Sequence, residues 1–288
     1  MRKIGSHHGL TAFFLAGLII VTFFFRQKIP FWHSLLLRYF IWLGVLFALQ
    51  VSSERKAGGR ITAFINDFSP IFFVILIYQS LGDLIQYLRP DIDPVLIRID
   101  QFLFGIDPTL WMQQWIVPWF TDIMSFCYIS YYFLPVILIA TLYLKNRRKE
   151  FSTAVFVLAF GYYLSFIGYI LFPAIGPRYT LTNLYTVPLQ GVTFLTDFVR
   201  DVLNGLEGNK RDCMPSGHTQ IVLMVLFLAR RYEKVLFYIF FPIVCGLILS
   251  TIYLRYHYVI DLFVGAAFAI GSAIVAPRLY EWWNRPKG

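Results

Sequence analysis

Two histidines and an aspartate stand at the edges of long apolar runs. His218 ends the segment Asp212-Cys213-Met214-Pro215-Ser216-Gly217-His218, and His257 and Asp261 belong to Arg255-Tyr256-His257-Tyr258-Val259-Ile260-Asp261. Ionisable residues beside a membrane segment are costly to keep without a partner or a task. His257 and Asp261 are four residues apart, so at the start of a helix they share a face. A carboxylate behind an imidazole fixes its tautomer and supports a developing positive charge, which is what a nucleophilic or basic histidine needs. His218 follows a Pro-Ser-Gly turn at a helix start, where free backbone N–H groups attract anions. From there it can hydrogen-bond a phosphate or protonate a leaving group. Taken singly, each feature also fits a polar helix end facing water. Taken together, they point to one site acting on a phosphate or another ester at a membrane surface.

Cations that could hold such a phosphate lie nearby in the sequence. Arg178 follows Gly176-Pro177, and its guanidinium could clamp phosphate oxygens in a fork. Arg255, two residues before His257, offers the same fork. Either arginine also fits a side chain snorkelling toward lipid headgroups. Lys210 and Arg211 read first as solvated loop charges within reach of an anionic substrate.

The composition explains where this chemistry must be held. The chain is 58% hydrophobic and 14% charged, with 30 Phe and 18 Tyr among 288 residues. Soluble domains carry about a quarter charged residues, so this is a membrane chain and an all-α bundle. Its net charge of +9 is then read as cytoplasmic loop charge and not as a nucleic-acid signal. Cys127 and Cys245 lie in apolar runs and read as small core residues, and three cysteines make no disulfide framework. The first apolar run lacks a small-residue cleavage site, so no cleavable signal is expected.

A helix needs about 20 apolar residues to cross the hydrocarbon. Eight spans follow, at roughly 9–25, 33–51, 64–88, 119–144, 151–172, 216–230, 235–254 and 257–276, the first and sixth of them short. They divide one integral domain into N-terminal helices (1–118), a catalytic core (119–276) and a tail (277–288). Alternate short connectors hold Arg2 and Lys3, then Arg55, Lys56 and Arg60, then Lys145, Arg147, Arg148 and Lys149, then Arg230, Arg231 and Lys234, and finally Arg278, Arg285 and Lys287. The longer connectors between them are sparser in basic residues. The positive-inside bias therefore puts both termini in the cytoplasm and the histidines outside, as in a bacterial inner membrane facing the periplasm. Residues 89–118, with Asp91, Asp93, Asp107, Trp111 and Trp115, suit a short helix lying in the interface. Residues 173–215 form the longest polar loop, and long loops in compact domains are often functional. The ends of spans five and seven and the starts of spans six and eight emerge on one face, so Arg178, His218, Arg255, His257 and Asp261 are delivered to the same side.

Pro215-Ser216-Gly217-His218 resembles the second signature of the type 2 phosphatidic acid phosphatase superfamily, and His257 with Asp261 resembles the His-x-x-x-Asp ending of its third. Gly176-Pro177-Arg178 is similar to the first signature in the inositolphosphotransferase-like branch, which includes relatives of inositol phosphorylceramide synthase. The resemblance covers about residues 120–276. It implies metal-free double displacement at phosphorus, with no cofactor. In that scheme His257 attacks phosphorus, Asp261 orients His257, and His218 protonates the leaving oxygen and then activates the acceptor. Arg178 and the backbone of Ser216 and Gly217 hold the phosphoryl oxygens; such donors are usually the largest catalytic contribution. Two cations of the wider pattern are absent: Leu171 stands where the first signature has lysine, and Thr251 where the third has arginine. Arg255 is the candidate to replace one, and Lys210 or Arg211 the other.

The resemblance implies a membrane enzyme that hydrolyses a lipid phosphomonoester or diphosphate, with a lipid phosphotransferase passing the group to an alcohol as the second reading. A transporter would call for inverted repeats and interrupted midplane helices, and the sequence has neither. His218, His257 and Asp261 are also ligand types that could hold zinc with an open position.

Overall fold

The computed structural model describes residues 5–54, 59–206 and 208–285. Thirteen α-helices and three short 3-10 segments are found among them, with no strand. In chain order they are α1 (Ser6–Phe24), α2 (Trp32–Glu54), α3 (Arg60–Ile85), α4 (Asp93–Phe104), α5 (Pro108–Trp111), α6 (Pro118–Ile129), α7 (Phe133–Leu144), α8 (Arg148–Leu171), α9 (Pro177–Thr180), α10 (Leu195–Leu206), α11 (Gly217–Tyr232), α12 (Lys234–Tyr253) and α13 (Val259–Asn284).

Among the described residues, seven helical segments are long and apolar enough to cross a membrane: α1, most of α2, α3, α6 with α7, α8, α12 and α13. The chain is thus an all-α polytopic bundle. The remaining expected span, 216–230, is helical but has only 16 residues. At 1.5 Å per residue this is about 24 Å, short of the ~30 Å hydrocarbon core. Its apolar residues face protein: Ile221, Val222, Met224 and Val225 are fully buried against α7, α8 and α12. The fourth span is not continuous either. A 3-10 turn at Ser130–Tyr132 separates α6 from α7 just before Pro135.

Two apolar cores share α8. One joins it to α1, α2 and α3 through Leu15, Tyr39, Ile77, Leu81 and Phe156. The other joins it to α7, α11 and α12 through Leu138, Val157, Ile221, Val225 and Leu247. Phe13, Phe24, Phe102, Phe241 and Phe263 point outward, as they must when lipid is the solvent. Cys245 is exposed on this outer surface and is not the core residue its apolar run suggested, because α12 buries only part of its circumference. Helix α13 also continues through Pro277 to Asn284, where the sequence suggested a tail from 277.

Helix ends segregate chemically. At one end Glu233 accepts from Lys145 Nζ (2.7 Å) and Arg147 Nη1 (2.8 Å), and Arg148 pairs with Asp67 (2.7 Å). The α7–α8 and α11–α12 turns are thereby tied together. At the opposite end lie the loops that carry the histidines. Arg2, Lys3, Arg55, Lys56 and Lys287 of the charge pattern lie outside the described residues. The 89–118 segment, expected to hold a short helix, contains α4 and α5. The segment 173–215 is less of a loop than its polarity suggests, since it contains α10, whose Val199 and Leu203 pack on Met124, Tyr128 and Tyr253.

The start of α11 lies so close to α13 that a Cβ on Gly265 would sit 2.5 Å from the Ser216 carbonyl oxygen, whereas one on Gly271 would meet nothing within 4 Å. Both alanine substitutions gain helix propensity, so their difference isolates the packing. Gly265→Ala is expected to lose about 1–3 kcal/mol relative to Gly271→Ala, read as a lower thermal midpoint of the detergent-solubilised protein. Equal midpoints would show that the two helices separate without cost.

Candidate active site

The site is built around the start of α13, whose first N–H groups have no helical acceptor. Asp261 reaches back to the Tyr258 N–H (2.9 Å), and Asp100 of α4 takes the N–H groups of Val259 (2.7 Å) and Ile260 (3.0 Å). A second α4 carboxylate, Asp93, accepts from the N–H groups of Ile175 (3.0 Å) and Gly176 (2.8 Å) and from the Tyr258 hydroxyl (2.9 Å). Gly176 has φ 89°, and a Cβ there would lie 2.6 Å from the Tyr256 carbonyl oxygen. Left-handed backbone and close approach both require glycine at this position. Helix α4 thus fixes both the loop leading to Arg178 and the helix carrying Asp261.

His257 is almost fully buried. Its Nδ1 lies 2.9 Å from the Cys213 carbonyl oxygen and 3.5 Å from Asp261 Oδ2. A carbonyl only accepts, so Nδ1 carries the proton and Nε2 keeps its lone pair. That nitrogen faces His218 Nδ1 at 3.3 Å, which makes His218 the donor. His218 packs on the rings of Tyr128 (4.7 Å) and Tyr131 (4.3 Å), beside the α6–α7 break. Its Nε2 is buried with no hydrogen-bond partner among the described residues. The Cys213 thiol donates to Asp261 Oδ2 (2.9 Å). Burial, reinforced by the Asp261 charge, pushes this thiol well above its ordinary range, so it stays a donor.

The structure brings Arg178 to this pair. It lines the same cavity of about 50 Å³, together with Asp212, Tyr128 and Tyr256. Its Nη2 donates to Asn204 Oδ1 and to the Tyr179 hydroxyl, both at 2.8 Å. The other cations are placed elsewhere. Arg211 forms a two-point pair with Asp91 (2.6 and 3.1 Å). Lys210 is exposed, 5.7 Å above the Tyr179 ring. Arg255 lines an adjacent cavity and donates to the Val187 carbonyl oxygen (2.5 Å). Ser216 caps α11, its Oγ accepting from the Thr219 N–H (3.2 Å), while its own N–H donates to the Asp261 carbonyl oxygen (3.0 Å). Gly217 lets the Tyr169 hydroxyl approach the turn.

Sequence reasoning missed Cys213, Asp93, Asp100 and the tyrosines around His218. Only Cys213 carried a signal, its adjacency to the Pro-Ser-Gly-His turn. Among the described residues, the three ligand-type groups that lie within 4.8 Å of one another are those of Cys213, His257 and Asp261, all buried; His218 is not among them. An apolar groove of about 290 Å³ runs from His218 and Asp212 down between α3, α7 and α8, lined by Val74, Pro135, Ile139 and Leu158.

Removing the Asp100 carboxylate strands two N–H groups at the start of α13. Asp100→Ala is expected to cost about 1–3 kcal/mol and to speed hydrogen exchange at residues 258–261. Asp100→Asn, which keeps one acceptor, should fall between it and the parent. No change in exchange would mean that α4 does not hold this helix start.

No curated protein and no solved structure matches the chain. The family model described as the PAP2 superfamily matches residues 94–275, from the start of α4 to the body of α13. That match spans well over half of the chain and includes Arg178, His218, His257 and Asp261, so the chain belongs to the PAP2 superfamily.

Proposed function

We propose that the protein is a lipid phosphatase working through a phosphohistidine on His257, without a metal. The observation that carries this reading is the pairing of His257 Nε2 with His218 Nδ1 at 3.3 Å, with the opposite nitrogen of His257 held by the Cys213 carbonyl. A lone pair is thereby presented next to a proton donor. In the first step Nε2 bonds to phosphorus, the bond to the leaving oxygen breaks, and His218 gives that oxygen its proton. In the second step His218 takes a proton from water, which attacks phosphorus and releases phosphate and free His257. Asp261, with no exposed surface, balances the imidazolium character that His257 gains. Arg178 supplies the guanidinium toward which the phosphoryl oxygens turn.

A hydrogen bond from His218 to a leaving oxygen is itself about 2.8 Å long, so the two rings must part when a phosphoryl group lies between them. The tyrosine-lined pocket of His218 adjoins the apolar groove, which gives the ring room to turn. The same groove supports a lipid as the substrate. The Lys145, Arg147, Arg230, Arg231 and Lys234 end opposite the site supports cytoplasmic termini and catalysis on the outer face. The alcohol-acceptor reading is supported by Gly176-Pro177-Arg178, which resembles the first signature of the inositolphosphotransferase-like branch. In it His257 carries either the phosphoryl group or a phospho-headgroup, in the latter case with the diacylglycerol oxygen leaving and taking the His218 proton, and a lipid alcohol in place of water then attacks phosphorus and frees His257.

The test is turnover of a lipid panel by purified protein: phosphatidic acid, phosphatidylglycerol phosphate, a polyprenyl diphosphate, and an inositol donor with a ceramide acceptor. Phosphate release alone selects the hydrolase, and a new headgroup lipid without phosphate selects the transferase. His257→Ala is expected to reduce either activity to background. His218→Ala should slow turnover by about 10²–10⁴-fold and, with a good leaving group, let an acid-labile phosphoprotein accumulate. Survival of turnover in His257→Ala would remove the nucleophile assignment. Activity lost to a chelator and restored by one metal would replace this scheme with a metal centre.

A further inference from the structure

A larger cavity, about 440 Å³, opens on the far side of Arg178 from the histidine pair. Arg178, Leu203 and Tyr256 line both spaces. Arg200 and Arg255 line only the larger one, with hydroxyls from Thr182 and Thr186. No Asp or Glu among the described residues lines it. Asp122 stands behind Thr196, its oxygens taken by the Thr196 hydroxyl (2.7 Å) and the N–H groups of Val192 and Thr193. Asp197 pairs with Arg200 from the exposed side (3.2 Å).

Arg255 is built into this cavity in an unusual way. It is 9% exposed, its guanidinium lies 3.9 Å over the Tyr185 ring, and its Nε is buried with no hydrogen-bond partner among the described residues. Burial pushes its pKa down from the ordinary arginine value. A cation kept in such a place lacks the paired anion that normally accompanies it. Its backbone is also in the left-handed region at φ 69°, where side chains other than glycine are held only by their surroundings. A planar guanidinium fork matches phosphate oxygens in pairs, and hydroxyls complete such a cradle.

We propose that this cavity is a second anion subsite, built on Arg255 and Arg200, which takes a phosphate group other than the one being transferred. The preferred substrate is then a lipid that carries two phosphate groups, one at His257 and one beyond Arg178. This rests on the phosphatase reading for the first group, while the subsite itself rests only on the cavity. The cavity exceeds one phosphate in volume, so the linker between the two groups fits as well.

The experiment compares kcat/KM for two lipids with the same tails, one bearing a single phosphate and one bearing two. Wild-type protein is expected to favour the two-phosphate lipid. The ratio of the two values should fall about tenfold or more in Arg200→Gln and in Arg255→Gln. A merely structural role would depress both lipids alike and leave the ratio unchanged. A second arm titrates inorganic phosphate into His257→Asn protein and into the same protein carrying Arg255→Gln, followed by ³¹P NMR. A falling ratio assigns the subsite to lipid-borne phosphate. An unchanged ratio with an additional phosphate bound only when Arg255 is present assigns it to free phosphate. An unchanged ratio with equal binding overturns the subsite. If wild-type protein turns over neither lipid while phosphate binding still depends on Arg255, the phosphatase reading fails and the subsite stands.

Discussion

Three backbone N–H groups at the start of the last helix must find acceptors where little water is available, and the rest of the site follows from how they do so. Asp261 takes one and Asp100 takes two. An unsatisfied amide in a membrane setting costs several kcal/mol, so these bonds are obligatory. The first places a carboxylate directly behind His257. The second ties α4 to the start of α13. Once α4 is fixed, its other carboxylate, Asp93, gathers the chain around Gly176 and so aims Arg178. Two aspartates on the same short helix therefore set the relative positions of residues more than 80 positions away.

The His257 tautomer is decided by a main-chain group rather than by the residue pair visible in the sequence. The Cys213 carbonyl is the nearer acceptor for Nδ1, and Asp261 Oδ2 is shared between the Tyr258 N–H and the Cys213 thiol. A carboxylate that accepts two such donors is held in orientation and cannot follow the imidazole as it gains charge. Division of labour results: the carbonyl fixes the ring, and the carboxylate supplies the field.

The long apolar runs were legible because the bilayer sets their length, and the paired histidine motifs were legible because their spacing carries a helical face. Helix α10 was not, because its amphipathic pattern sits among loop-like polar residues. The break between α6 and α7 was not, because Pro135 in an apolar run does not by itself show where a helix yields. Asp93 read as interfacial charge and Asp100 carried no signal at all, since their partners are backbone amides some 80 and 160 residues further on. Cation positions were the least legible. Arg255, Arg211 and Lys210 lie near the motifs in sequence, but Val187, Asp91 and Tyr179 decide where their charges rest.

The shortness of α11 has a consequence for hydration. Its inner end is pinned, because Arg147 donates to the Tyr232 carbonyl and binds Glu233. With the basic end placed in the cytoplasm as proposed, the deficit of about 6 Å against the hydrocarbon thickness falls at the opposite end, where His218 begins the helix. On the outward-facing orientation proposed above, the imidazoles would sit below the plane of the headgroups, and a phosphate would shed much of its water to descend to them. That dehydration disfavours small soluble phosphates, which have no chain to bury in return. A lipid already moored in the groove makes the same descent with its tail still solvated by protein and bilayer. Depth alone thus sorts membrane phosphates from those in bulk solution, before any residue touches the headgroup.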